Sequence, residues 1–115
     1  MSYENLPGIF PKLITFTSDG IVLGDEVPMP AETTAHGNWV ATGPREAAYT
    51  FHALVGDAEG NLSMKLKIVG KLEFDARADK WSGPFKIQIF DAAGTELAAY
   101  RGMMNATRIA VETLD

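Results

Sequence analysis

Residues 63–75 read Ser-Met-Lys-Leu-Lys-Ile-Val-Gly-Lys-Leu-Glu-Phe-Asp. The even positions are Met64, Leu66, Ile68, Gly70, Leu72 and Phe74; the odd ones are Ser63, Lys65, Lys67, Val69, Lys71, Glu73 and Asp75. Only Val69 departs from a period of two, which puts apolar groups on one face of a strand and charges on the other. An extended segment of this length spans roughly 40 Å, more than a typical strand. Gly70 near its middle lets the strand bend sharply, as barrels and strongly coiled sheets require.

The remaining composition fits one domain, 1–115, able to build its own core. Apolar residues make up 46% of the chain, which argues against wholesale disorder. A net charge of −5 argues against nucleic acid as a partner, because phosphates demand a basic face. Lys65, Lys67 and Lys71 form a short basic row that reads as a solvated strand face beside Glu73 and Asp75. The chain has no cysteine, so disulfides, thiol catalysis and Cys-ligated metals are excluded. No run approaches the roughly 20 apolar residues of a membrane helix, so no membrane partner is expected. Residues 1–11 lack a basic n-region and an apolar core, which makes the cytoplasm the expected compartment.

Turn signals recur at short intervals: 18–20, 24–30, Gly43-Pro44, 57–60, 75–79 and 91–94. Asp bonds its own backbone in such turns and Gly supplies positive φ. The intervening segments predict strands near 10–18, 20–27, 36–43, 46–56, 62–70, 71–76, 81–91 and 95–112. The two segments that meet at Gly70 are counted here as separate strands. Residues 95–105 also fit a helix through Leu97, Tyr100 or Arg101, and Met104, although Gly102 opposes it. Pro84 falls inside a predicted strand and requires an edge or a bulge. The polar, proline-bearing stretch 26–34 reads as a long connection or as a rim loop. The expectation is an all-β fold, an antiparallel up-and-down β-barrel of about eight strands.

Several short patterns carry a family resemblance. They are Phe16-Thr17-Ser18-Asp19-Gly20, His36-Gly37-Asn38-Trp39 followed by Gly43, and Tyr49-Thr50-Phe51. Further on come Asp57 with Gly60, Gly70-Lys71-Leu72, Trp81-Ser82-Gly83, Asp91 with Gly94, and Thr107-Arg108-Ile109. Together they resemble small bacterial calycin-like (lipocalin-like) β-barrel proteins over residues 10–112. The resemblance implies a closed antiparallel barrel with a central cavity. Lipocalins also carry a Gly-x-Trp motif whose indole is covered by an Arg from the last strand. Gly37-Asn38-Trp39 and Arg108 match those types, which implies a cation–π pairing of Trp39 with Arg108 at one barrel end. The motif falls after two strands here, whereas lipocalins place it on the first.

Candidate chemistry is sparse. Of two histidines, His52 shares parity with Thr50 and Leu54. It lines a cavity only if the cavity lies on that side, and otherwise it faces solvent. His36 opens a strand beside a glycine and reads as an anchor for the preceding loop. Two histidines without cysteine fall short of the three or four ligands a metal needs, so no metal site is expected. There is no Gly-x-Ser-x-Gly elbow and no glycine-rich phosphate loop, and no motif calls for a cofactor. The carboxylates read as turn and rim residues rather than as a glycosidase pair.

An apolar lining remains. Met64, Leu66, Ile68, Phe74, Phe85, Ile87 and Ile89 share inward parity, joined by Tyr49, Phe51, Tyr100 and Met104. Small barrels either fill such an interior or enclose one ligand. The expected function is therefore binding of a small hydrophobic or aromatic molecule in the barrel cavity. Tyr49, Phe51, His52, Met64, Leu66, Phe85, Ile87, Tyr100 and Met104 are its candidate contacts. The alternative is a cofactor-free cyclase or isomerase, with His52, Tyr49 or Arg108 as the acid or base. Val69 and Phe90 break the polar parity and offer a face for a homodimer.

Overall fold

The computed structural model describes residues 2–3, 6–9, 12–26 and 32–114. Among them run nine strands: β1 (Ser2–Tyr3), β2 (Leu6–Ile9), β3 (Lys12–Phe16), β4 (Ile21–Glu26), β5 (Ala35–Gly43), β6 (Glu46–Gly56), β7 (Leu62–Phe74), β8 (Lys80–Asp91) and β9 (Glu96–Thr107). They form one antiparallel sheet in the order β2-β1-β9-β8-β7-β6-β5-β4-β3. The seven strands from β3 to β9 are an unbroken meander that curls into a half-barrel, and the described residues include no helix. The short β1 and β2 lie ahead of the first predicted strand and line up along β9.

β7 settles the strand count. Residues 62–70 and 71–76 are not two strands, because one ladder to β6 passes straight through the Gly70–Tyr49 pair. The bend at Gly70 shows instead on the β8 side. That ladder stops after Gly70–Phe85 and resumes at Glu73–Ser82. Pro84 lies within the interruption on the β8–β7 side, while the β8–β9 register continues through its pairing with Met103. The expected eight strands therefore become seven in the meander plus the two N-terminal ones. Residues 95–105 are strand rather than helix, and β9 ends at Thr107 rather than 112; residues 108–114 leave the sheet. Of the 26–34 connection, residues 27–31 lie outside the described residues. Its end is tied to β6 through Thr33, which donates its N–H to the Leu54 carbonyl and accepts the Leu54 N–H on Oγ1.

The core follows the alternation. Val22, Phe51, Ile68 and Leu72 are fully buried, joined by Tyr49, Leu66, Phe85, Ile87 and Met104, with the intervening residues outside. A Cβ on Gly70 would land on the Tyr49 hydroxyl, and one on Gly37 would meet the Phe51 backbone. The Tyr49 ring can lie over β7, and β6 can approach β5, only without side chains at these positions.

The tight turns share one design. Asp57 Oδ1 accepts the N–H groups of Glu59 and Asn61, Asp75 Oδ1 that of Asp79, and Asp91 Oδ1 those of Ala93 and Thr95. The fourth residue of each turn has positive φ. It is Gly60 at 82° and Gly94 at 91°, but Ala78 at 56° in the third. A side chain in that region costs about 1–2 kcal/mol. Ala78→Gly is expected to stabilise the protein by about 1 kcal/mol, read as a raised denaturation midpoint. Gly70→Ala is expected to destabilise it by about 1–3 kcal/mol in the same assay, since Tyr49 has no room to retreat.

Candidate functional site

β3 and β9 end the meander and come to face one another. Six antiparallel pairings separate them, so they run in the same direction. Among the described residues no strand ladder joins them, and β1 covers β9 only at Gly102 and Met103. A groove of about 530 Å³ lies along this seam. Its lining includes Ile14 and Phe16 of β3, Trp81 of β8 and Met104 of β9, with Thr15, Asn105 and Thr107 as polar neighbours. Lys12 and Arg108 add a cation at either end.

Phe16 is the side chain that draws the two ends of the sheet together. Its ring lies 4.9 Å from Trp81, 5.8 Å from Trp39 and 6.0 Å from Tyr49, each in an edge-on arrangement. Phe74 extends the cluster, 5.4 Å from Trp81. Such pairs contribute about 0.5–1.5 kcal/mol each beyond the area they bury. Both indoles have their polar edge satisfied: Trp39 Nε1 donates to the Thr17 carbonyl at 2.8 Å, and Trp81 Nε1 to that of Ala78 at 3.1 Å. Trp81 is thus fixed in orientation while it lines the groove.

Tyr49, Phe51, Leu66, Phe85 and Ile87 lie in the packed core, and Met64 and Tyr100 pack against it half-buried. Of the nine candidate contacts, Met104 alone lines the seam groove. His52 is not among the interior groups. Phe51 and Ala53 point inward, so His52 stands on the outer face. Phe16 and Trp81 are lining residues that the sequence marks only within the resemblance patterns, not as cavity contacts. Their aromatic character at strand ends is visible there, but nothing local shows that β3 and β8 meet.

The expected Trp39–Arg108 contact is absent. Arg108 lies past the end of β9, where its N–H donates to the Asp79 carbonyl and its guanidinium reaches the Asp79 carboxylate at 4.0 Å. The cation over an aromatic face is Lys12, 4.8 Å from the Phe51 ring centroid. The Tyr49 hydroxyl is buried without a hydrogen-bond partner. Burial raises its pKa well above the ordinary phenol value, so the group stays neutral.

His36 and His52 are direct cross-strand partners. The turn pairs Gly43 with Glu46, and a register shift between Ala41 and Gly43 then brings residue 36 opposite residue 52. No third metal-ligating side chain joins them among the described residues. The His52 pKa is lowered, first by burial and then by the charges of Lys65 and Lys67.

Compared with protein-family models, with curated proteins and with solved structures, the chain matches none. No helix among the described residues is long and apolar enough to cross a membrane.

The lowered His52 pKa means that the folded state holds this proton less tightly than the unfolded chain. Stability contributed by neutral His52 is therefore intact above about pH 6.5 and lost as the pH falls below that value. Denaturant titrations at pH 7.5 and 5.5 are expected to show this loss, with a shallower dependence in His52→Gln.

Proposed function

We propose that this protein binds a small apolar or aromatic molecule, seated in the seam groove rather than in the barrel interior. The observation that carries this reading is the groove itself. Two strand edges face each other without a ladder over an apolar floor made by Phe16, Trp81, Ile14 and Met104. Its volume of about 530 Å³ falls in the range of ligand pockets, commonly some 300–1,000 Å³. The interior favours the seam over the lumen, since Phe51, Ile68 and Leu72 fill the centre of the sheet. A flat ring stacks on Trp81, whose indole is held by Ala78, while Lys12 at one end of the groove or Arg108 at the other meets an acidic group of the ligand. The alternative of a cofactor-free cyclase or isomerase gains less. Neutral, buried Tyr49 could act as an acid, but it does not line the groove.

Native mass spectrometry of the purified protein is expected to reveal a co-purifying small molecule, released on denaturation. In solution, an aromatic sulfonate dye serves as probe. Trp81→Ala is expected to weaken its binding about tenfold or more, with the fold retained by circular dichroism. Dye affinity unchanged in Trp81→Ala would overturn the seam as the site.

A further inference from the structure

The outer face of the half-barrel sorts charge in a way the net value of −5 conceals. Lys65, Lys67 and Lys71 project outward from β7, Lys86 from β8 and Arg101 from β9, as the alternating burial of the three strands requires. These are five of the chain's 10 lysines and arginines. Register brings them close: Lys86 stands directly opposite Arg101, and Lys67 directly opposite His52. Like charges placed opposite one another destabilise a sheet. Glu46 and Glu73 pair at one end of these strands and Glu96 stands at the other; between them the outer face of β6–β9 carries no carboxylate. The Arg108–Asp79 ion pair involves none of the five. The carboxylates of the described strands and hairpin turns thus stand at turns and near strand ends, leaving the basic field between them without a facing carboxylate.

A second observation concerns what stands among these cations. Val69 lies between Lys67 and Lys71 on β7 and opposite Lys86, and Leu54 lies opposite Lys65. Both are substantially exposed, at 39% and 45%, as is Met103 on β9, two residues from Arg101. Nucleic-acid surfaces interleave their cations with aromatic rings that stack on bases. This face interleaves them chiefly with the aliphatic Leu54, Val69 and Met103. The phenylalanine on it, half-buried Phe90 opposite Lys65, does not make a row of stacking platforms. Apolar chains of this kind favour an apolar phase.

We propose that the outer face of β6–β9 docks onto an anionic lipid surface, the five cations meeting headgroup phosphates and carboxylates while Leu54, Val69 and Met103 enter the headgroup boundary. Each basic residue near such a surface adds to the attraction, which Glu46, Glu73 and Glu96 at the strand ends offset only in part. The attraction is electrostatic in its longer-range part and weakens with salt.

Lys86→Glu separates docking from folding. It turns the Lys86–Arg101 repulsion into an attraction, so the variant is expected to melt at or above the wild-type temperature. Vesicle co-sedimentation is the assay, with phosphatidylcholine vesicles containing phosphatidylserine set against phosphatidylcholine alone. Wild type is expected to sediment with the serine-containing vesicles only, and less as salt is raised. Lys86→Glu is expected to bind them about 30-fold more weakly, because reversing one charge removes an attraction to the headgroups and adds a repulsion of similar size. Equal sedimentation of wild type with both vesicles, undiminished binding of Lys86→Glu, or retention of a single-stranded oligonucleotide without vesicle binding would each overturn the proposal.

Discussion

An up-and-down sheet reverses direction at every strand, so its first and last members are antiparallel only when the count is even. The meander from β3 to β9 has seven strands, and its two ends are therefore parallel. A regular antiparallel closure is unavailable to it, whatever the curvature. Much of what is distinctive in this molecule follows from that odd number. The sheet curls far enough to bring β3 to β9, yet rings do the joining: Phe16 against Trp81, Trp39 and Tyr49. The space left between the two edges is the groove along which Trp81 and Met104 lie.

The interior and exterior of the sheet obey separate rules set by one alternation. Inward positions are occupied so completely that Gly70 and Gly37 must lack side chains, one for the Tyr49 hydroxyl and one for the Phe51 backbone. Outward positions are under no packing constraint and hold the charge. Because the turns are built on aspartates that cap backbone N–H groups, negative charge concentrates at the ends of the sheet. The basic face and the acidic rims are products of the same local chemistry, and net charge reports neither.

Strand identity is readable in the sequence wherever the alternation is clean, as in β6, β7 and β8. The Asp-to-Gly turns mark most of the boundaries. Gly70 is the decisive ambiguity, since a glycine in a long apolar alternation reads equally as a bend within a strand or as a break between two. Taken as a break, it yields eight strands and, with them, an expected closed barrel. The His36–His52 partnership is not recoverable from the turn alone, because a register shift between Ala41 and Gly43 moves the pairing by one residue. Nor is the seam. Phe16 and Trp81 are far apart in the chain, and their meeting depends on the curl of the whole sheet. Resemblance draws Arg108 to Trp39, but the chain leaves β9 before that arginine and delivers it to Asp79.

Each of the seven strands pairs first with its neighbour in sequence. The sheet can therefore grow by zipping one hairpin onto the next, each loop closed at small entropic cost. The contact between Phe16 and Trp81 obeys a different order, because it exists only after every intervening hairpin is in place. No ladder of backbone bonds holds it afterwards. Separating the seam breaks no strand ladder and leaves the strands paired, so it belongs among the low-energy openings of a native protein rather than with global unfolding. The last part of the sheet to assemble is in this way also the part that can breathe.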